Sequence, residues 1–420
     1  MIIRLFLCIS FLLHHPIEEG DPDIGLSIMD LVNRRGYQIQ KYTVITPDGC
    51  ILTLHRMQHS YQESQHEILN SSCRNPSIST KPPVLLMHGL LDSSFTWVAN
   101  FRNQSLAYLL VDAGYDVWMG NNRGTMWSKT HVYLSSTSPA YWDFTWEQMA
   151  TFDLPTFISK ILSHSEFKQV SYIGHSEGAM QAFAALALYP KLAASISYFG
   201  ALAPVVYIEY PNLTILRYLS YLGFDQFIHD IGFREFCNHG NKIHTTLSAY
   251  VCPTFPALCK SVIDHFAGGS PYMNTTRLAV YVAQTPAGSS IKNMVHFGQG
   301  IRRGTFARFD YGCSWCLEWM TSYLPTRWCL CKNEKHYGSR TPPVFEMSSI
   351  KDVFIGMYMG SKDALSTIAD CTRLINELPP GVVVHQVTVP FNHVDFTWSP
   401  TARHFIYNDL IHQLGLYPSV

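Results

Sequence analysis

The 420-residue sequence has no excess of charge of either sign, because 30 basic and 31 acidic side chains leave a formal net charge of −1. Such a chain offers no net field to attract nucleic acid or anionic lipid, so we expect a partner to be recognised by shape and apolar contact. Charged residues are also scarce, at 15% against 47% hydrophobic. This composition excludes a disordered or fibrous protein, and the length allows a large core with an insertion or a second domain.

Hydrophobic runs long enough to span a bilayer, about 20 residues, are also missing, so no transmembrane segment is predicted. The N-terminus carries a shorter run, Leu5 to Leu13, which follows Arg4 and precedes acidic sequence. This pattern is typical of a secretory signal peptide, and we predict one over residues 1–20 with cleavage between residues 14 and 22. A buried apolar segment is the alternative interpretation.

A secretory route agrees with four potential N-glycosylation sites, which begin at Asn70, Asn103, Asn212 and Asn274. The Asn75 site fails because Pro76 follows it. Ten of the eleven cysteines lie outside the leader, and in an oxidising compartment some of them will pair. One sequence does not reveal that pairing. We expect a secreted or a lysosomal protein.

Strand and helix patterns alternate along most of the chain, which predicts an α/β fold with a mostly parallel sheet. A hairpin is predicted around Pro47-Asp48-Gly49, and residues 59–82 are predicted to be a polar surface loop. Further strands are predicted at 83–87, 115–119, 170–173, 195–202, 353–359 and 382–389. Helices are predicted at 104–112, 147–164, 179–188 and 402–414.

Residues 205–345 break this alternation, being rich in aromatics, cysteine, proline and short helical patterns. We interpret them as a cap inserted into a core formed by residues 21–204 and 346–420. No internal repeat or low-complexity tract is visible.

The candidate nucleophile is Ser176, in the stretch Gly174-His175-Ser176-Glu177-Gly178, which spells G-x-S-x-G. These five letters alone are weak evidence. Here, however, an apolar strand precedes the serine and an alanine-rich helix follows it, which is the context of a nucleophile elbow. The two glycines suit this turn because the strand and helix backbones nearly touch there. The helix N-terminus also directs N–H groups at the reacting centre.

An elbow predicts its partners in the chain order serine, acid, histidine, each after a later strand. Asp363 follows one such strand and His393 follows the next. The carboxyl ends of parallel strands share one edge of the sheet, so His393 would take the serine proton while Asp363 orients the imidazole. Three other acids are rivals that fit less well by position: Asp352, Asp370 and Asp395.

Backbone N–H groups are needed to stabilise the oxyanion of the tetrahedral intermediate. In this fold one comes from the residue after the nucleophile, here Glu177, and one from the loop after the third strand. That loop is His88-Gly89-Leu90-Leu91, so the amide of Leu90 is the second predicted donor. A tight turn without any such role is the alternative.

Several stretches together resemble the acid lipase family of gastric and lysosomal lipases. They are HGLLDSSFTW (88–97), LLVDAGYDVW (109–118), GNNRGTMWS (120–128), GHSEG (174–178), FGALAPV (199–205) and PFNHVDFTW (390–398). Residues 33–52 and 274–299 agree with the same family. The match covers nearly the whole mature chain in order, which is far more specific than any single motif.

The resemblance implies an α/β-hydrolase with a cap and a mobile lid, acting on triacylglycerols or cholesteryl esters, often at acidic pH, without metal or colipase. We expect this lid within roughly 235–270, where it would open at an oil–water interface and expose an apolar surface. The alternative is an ordinary helical subdomain without lid motion. The family triad falls on Ser176, Asp363 and His393, and its oxyanion donors fall on Leu90 and Glu177. A family disulfide in the lid region would join Cys252 and Cys259, although the spacing here is shorter.

Two features depart from the family. The residue after the nucleophile is usually glutamine, but here it is Glu177, whose carboxylate would oppose a developing negative charge by about 1 kcal/mol. Protonation at acidic pH would remove this penalty. The second departure is the stretch 313–331, which the family pattern lacks and which contains a C-x-x-C and a C-x-C pair. Local disulfides are favoured there, while zinc, for which C-x-C spacing is poor, and free thiols are the alternatives.

The sequence therefore predicts a serine hydrolase that cleaves neutral-lipid esters through an acyl-enzyme, at acidic pH and without a cofactor. Its predicted partner is a lipid ester at an interface, not nucleic acid. The alternatives are a soluble carboxylesterase for short esters, a catalytically inactive lipid-binding protein and a serine peptidase on the same fold. A triad alone does not choose among these substrates.

Overall fold

The computed structural model describes residues 21–70, 78–209, 220–237, 251–313 and 331–420. The predicted signal peptide, the Asn212 glycosylation site and part of the predicted lid lie outside these ranges. Within them, no helix is both long and apolar enough to cross a membrane.

A nine-stranded sheet forms the centre of the fold, with the order β1-β2-β4-β3-β6-β7-β10-β11 and β5 paired to β2. The strands of the described chain are β1 (Gln40–Ile45), β2 (Cys50–Met57), β3 (Pro83–Met87), β4 (Asp116–Gly120), β5 (Thr130–His131), β6 (Val170–His175), β7 (Ile196–Leu202), β8 (Glu235–Phe236), β9 (Ser289–Ser290), β10 (Ile355–Gly360) and β11 (Val383–Val389). Strands β8 and β9 pair only with each other.

The sheet is antiparallel at one end and parallel elsewhere. Strand β2 pairs antiparallel with β1, β4 and β5, whereas every neighbouring pair from β4 to β11 is parallel. The prediction of an α/β fold with a mostly parallel sheet is therefore confirmed. Since parallel strands end at the same edge, the residues after β3, β6, β10 and β11 meet there.

The helices of the described chain cover both faces of this sheet or lie in the 205–345 segment. They are α1 (Ile28–Arg34), α2 (Tyr61–Asn70), α3 (Leu106–Asp112), α4 (Trp146–Gln148), α5 (Leu154–Leu162), α6 (Glu177–Leu188), α7 (Phe224–Asp230), α8 (Cys252–Thr254), α9 (Pro256–Ala267), α10 (Leu278–Val282), α11 (Ile291–Arg303), α12 (Lys332–Tyr337), α13 (Ile368–Glu377), α14 (Asp395–Trp398) and α15 (Asn408–Leu416).

Two large apolar clusters fill the space on either side of the sheet. In β6, Tyr172 belongs to one cluster and its neighbour Ile173 to the other, because successive side chains of a strand point to opposite faces. Every residue of β6 is buried. A parallel strand covered by helices on both faces reads as a near-continuous apolar run, which is the pattern of β3, Pro-Val-Leu-Leu-Met.

The prediction of a surface loop over residues 59–82 was wrong for its first half, where α2 forms. The helix begins with a reciprocal pair: the amide of Glu63 donates to Ser60 Oγ at 3.3 Å, and the amide of Ser60 donates to Glu63 Oε2 at 2.7 Å. This is a capping box of the S-x-x-E type, which marks the start of a helix. The polar composition of the stretch favoured a loop instead, so this signal was not recognised.

The predicted helix over 147–164 is present but interrupted. Helix α4 continues into a π-helical turn, Met149–Asp153, before α5 begins. Pro155, in the first turn of α5, has no amide hydrogen to donate to the preceding turn. Proline and one-turn π bulges are both known sites of helix irregularity, and the two lie side by side here.

The strands of the central sheet come from residues 40–202 and 355–389, and the segment between them contributes helices α7 to α12 and the short β8–β9 pair. This arrangement is what a cap inserted into a core would show. The boundaries at 205 and 345 stay a prediction.

Candidate active site

Ser176 lies on the turn between β6 and α6, with a backbone φ of 56° and ψ of −115°. A side-chain-bearing residue rarely adopts a positive φ, so the surrounding structure must enforce it. A Cβ on Gly174 would lie 2.6 Å from the carbonyl carbon of Gly178, and a Cβ on Gly178 would lie 2.4 Å from the Met87 carbonyl oxygen. Gly174 is therefore needed for β6 and α6 to approach each other at this turn, and Gly178 is needed for α6 to approach the end of β3.

The structure brings the three predicted triad residues together. His393 Nε2 lies 2.8 Å from Ser176 Oγ, and His393 Nδ1 lies 2.8 Å from Asp363 Oδ2. All three are at least 94% buried, with exposed fractions of 6, 5 and 3% for the serine, histidine and aspartate. The other Asp363 oxygen, Oδ1, accepts the amides of Leu365 and Ser366, each at 2.8 Å. These bonds fix the carboxylate against the imidazole.

The rival acids are engaged elsewhere. Asp370 stands in the first turn of α13, where its carboxylate accepts from the Thr367 hydroxyl at 2.8 Å. Asp352 is exposed and precedes β10. Asp395 Oδ2 accepts the backbone amide of Asn392 at 2.9 Å, on the chain flanking the histidine.

His175 was missed as a functional candidate, although it stands inside the serine motif. Its Nε2 donates to the backbone carbonyl of His393 at 2.9 Å. Burial, reinforced by the neighbouring His393, lowers the pKa of His175 to about 3. The ring is therefore neutral and can keep its proton on Nε2 for this bond. The sequence signal that could have identified His175 was its position at the end of a buried strand, directly before the nucleophile.

The loop after β3 lies against the elbow, since a Cβ on Gly89 would be 3.1 Å from the Ser176 Cβ. Leu91 has a φ of 62°, and its carbonyl accepts the Ala287 amide at 2.6 Å. The amide of Leu90, which lies between Gly89 and Leu91, donates to no backbone acceptor in the described ranges. The amide of Glu177 is the first of α6, where a helix offers no acceptor of its own. The role of these two amides as oxyanion donors stays a prediction.

The Glu177 side chain is buried, with 2% exposure. Its Oε1 accepts a hydrogen bond from Asn293 Nδ2 of α11 at 2.6 Å. Burial raises the pKa of this carboxyl to about 7, and the Asn293 bond opposes the shift only in part. The group next to the nucleophile thus changes charge near neutrality.

The structure contains two disulfides in its described ranges. Cys252 is bonded to Cys259 with an S–S distance of 2.07 Å, which ties α8 to α9. Cys313 is bonded to Cys331, while Cys316 and Cys329 lie outside the described residues. The described residues hold no cluster of three or more histidine, cysteine or acidic side chains suited to a metal ion.

The potential glycosylation sites differ in their surroundings. Asn103 is exposed. The Asn274 side chain is partly buried and accepts the Thr276 amide at 3.2 Å, which caps a short 3₁₀ turn. Asn70 ends α2, and Asn212 lies outside the described residues.

Comparisons with known proteins agree with this fold. A family model described as "alpha/beta hydrolase fold" matches residues 82–326, and one described as "Partial alpha/beta-hydrolase lipase region" matches residues 28–101. The chain is 32% identical to the gastric triacylglycerol lipase of Homo sapiens, over 95% of this chain and 93% of that one. The chain belongs to the acid lipase family.

The chain is also 33% identical to the lysosomal acid lipase/cholesteryl ester hydrolase of Macaca fascicularis, over 94% of this chain and 92% of that one. A solved structure from Sulfolobus solfataricus matches with a TM-score of 0.57 and 13% identity, covering 96% of this chain and 98% of that one, which supports the fold alone. This acid lipase is therefore an α/β-hydrolase and a carboxylic ester hydrolase.

Proposed function

We propose that this chain is a serine lipase that hydrolyses neutral-lipid esters, triacylglycerols or cholesteryl esters, through a covalent acyl-enzyme. The observation that carries the proposal is the hydrogen-bonded chain from Ser176 through His393 to Asp363 on a strained turn. A hydroxyl, an imidazole and a carboxylate in this order make the serine nucleophilic at a pH where its own ionisation is negligible.

In the proposed reaction Ser176 Oγ attacks the ester carbonyl while His393 Nε2 accepts the hydroxyl proton. The amides of Leu90 and Glu177 stabilise the oxyanion that forms. His393 then returns the proton to the departing alcohol, and an acyl-serine remains. Water, deprotonated by the same imidazole, releases the fatty acid. Asp363 keeps Nδ1–H oriented and stabilises the imidazolium at both stages.

A lipid substrate is supported by the surface of the 205–345 segment. Helix α9 exposes Leu258, Val262 and Phe266, with exposed fractions of 58, 52 and 45%. Their spacing of four residues places them on one face of the helix. Exposed apolar stripes of this kind are typical of proteins that meet a lipid surface. The names of the relatives, a triacylglycerol lipase and a cholesteryl ester hydrolase, point to the same substrates.

The acyl chain would lie along apolar walls supplied by the cap. We propose that residues 205–345 act as this cap, with a lid inside the 235–270 range.

Acidic operation and a secretory location belong to the same proposal. The protonated form of Glu177 is the one compatible with an oxyanion nearby, and its raised pKa extends that form towards neutrality. The Cys252–Cys259 disulfide suits an oxidising compartment. With the N-terminal leader pattern, these features favour a secreted or lysosomal enzyme.

The proposal is tested by assaying a long-chain triacylglycerol, a cholesteryl ester and a short-chain ester across acidic and neutral pH, with Ser176→Ala as the blank. We expect hydrolysis of at least one long-chain ester, fastest at acidic pH and abolished in the variant. Activity on short soluble esters alone would indicate a carboxylesterase. Failure of a fluorophosphonate to label Ser176 would indicate an inactive lipid-binding protein.

A further inference from the structure

Helix α9 of the predicted cap ends against both loops that carry the acid and the base. The Ala267 carbonyl, at its last residue, accepts the backbone amide of His393 at 3.0 Å. The same oxygen accepts the Ala364 amide, directly after Asp363, at 3.4 Å. A single backbone carbonyl from the inserted segment therefore joins the two loops that must hold the imidazole and the carboxylate in register.

The next residue, Gly268, passes close to the acid loop. Its φ is +95°, and a Cβ there would lie 2.3 Å from the backbone oxygen of Lys362. Gly269 has no such constraint, because a Cβ there would meet no atom within 4 Å. The close approach is therefore specific to Gly268, whose missing side chain lets the end of α9 lie against the strand-to-acid turn.

Asn392 completes the connection from the base loop. Its Nδ2 donates to the Gly268 carbonyl at 2.6 Å. Its Oδ1 accepts the amides of Val394 and Asp395, at 3.1 and 2.9 Å. In return, Asp395 Oδ2 accepts the Asn392 amide at 2.9 Å. This reciprocal pair encloses His393, so the side chain of Asn392 fixes the histidine backbone and ties it to α9 at once.

We propose that Ala267, Gly268 and Asn392 form a latch that sets the position of His393 and Asp363 against Ser176, with Asn392 as a positioning residue for the base. The latch rests on the proposed function, since it acts through the triad. His393 has its amide bonded to the cap and its carbonyl bonded to His175, so its backbone is held from two independent elements.

The test compares Gly268→Ala with the matched control Gly269→Ala, using a soluble ester and counting active sites by fluorophosphonate labelling. The first substitution forces the chain away from Lys362, whereas the second adds a methyl group to open space. A misplacement of about 1 Å in the base costs on the order of 100-fold in rate. We expect kcat per folded enzyme to fall at least about tenfold in Gly268→Ala with KM little changed, and the rate of Ser176 labelling to fall in parallel.

A second variant keeps the test decisive if Gly268→Ala does not fold. Asn392→Ala removes the bonds to Gly268, Val394 and Asp395. Its control is Asn333→Ala, which removes an equally buried amide whose bonds stay among Tyr311, Asp310 and Arg340. We expect both to lower the melting temperature, but only Asn392→Ala to lower kcat.

Normal kcat per folded enzyme in both Gly268→Ala and Asn392→Ala would overturn the latch, as would equal losses of kcat in the two control variants. The proposed function fails in a different way. If the wild type is labelled at Ser176 but hydrolyses no lipid ester, the substrate assignment is overturned, and the labelling rates of the variants still decide the latch. If the wild type is not labelled, both are overturned.

Discussion

The carboxyl group of Glu177 lies directly after the nucleophile and is bonded to Asn293 of α11, with Oε1 2.6 Å from Nδ2. This hydrogen bond joins the first turn of α6 to α11, which lies in the segment predicted to be a cap. It also places a buried titratable group beside the amide that would stabilise the oxyanion. Burial raises the pKa of this carboxyl to about 7, so its charge changes within the pH range in which a lipase can be assayed.

Glu177→Gln should raise activity near neutrality more than at acidic pH. Below the raised pKa the native side chain is neutral, as glutamine is, and the two enzymes should be similar. Above it the carboxylate opposes the oxyanion by about 1 kcal/mol, or roughly fivefold in rate. The measurement is kcat/KM of both enzymes across pH on one soluble ester. An equal ratio at every pH would contradict this account.

The same substitution should change the pH dependence of stability. The folded pKa of about 7 exceeds the ordinary value of 4.5, so the unfolded chain ionises first. The wild type therefore loses stability as pH rises from about 4.5 to about 7, by at most about 3 kcal/mol. Chemical denaturation should show that the free energy of unfolding of Glu177→Gln rises relative to that of the wild type over this pH window. At lower pH the two free energies should be equal. A constant difference would exclude Glu177 as the source.

Asp363→Asn should lower kcat on the order of 10⁴-fold while leaving KM nearly unchanged. An amide in place of Oδ2 donates to Nδ1 and so favours the imidazole tautomer that cannot accept the Ser176 proton. The matched control is Asp352→Asn, an exposed site with a φ of 58°, which asparagine tolerates. The control should keep full activity. A comparable loss in both variants would mean that Asp363 is not the acid.

Gly178→Ala should destabilise the fold by more than about 3 kcal/mol, because overpacking against backbone is not relieved by side-chain movement. The added Cβ would lie 2.4 Å from the Met87 oxygen and 2.8 Å from the His88 oxygen. Gly415→Ala is the control, since its site in α15 has no atom within 4 Å. There, alanine should stabilise the helix by up to about 1 kcal/mol. Denaturant midpoints measure the stability of both variants. A loss of stability below about 1 kcal/mol in Gly178→Ala would contradict the close approach of Gly178 to the Met87 and His88 oxygens.

Much of the fold could be predicted because its signals are local. The apolar run before Ser176, the glycines on either side of it and the alanine-rich stretch after it each reflect a backbone constraint of a few residues. The errors arose where local signals compete. Polar composition concealed the Ser60–Glu63 capping box, and the amphipathic pattern over 147–164 concealed the break at Pro155.

Periodicity and the steric freedom of glycine are local properties, so the linear chain was enough to predict the order of strands and helices, the elbow at Ser176 and two later loops able to supply an acid and a base. The folded chain was needed to show which acid faces His393, that His175 and Asn392 hold its backbone, and that the end of α9 joins the two loops. Those contacts connect residues that are distant along the chain. No periodicity encodes them, since they arise only when the parallel strands bring their carboxyl ends to one edge.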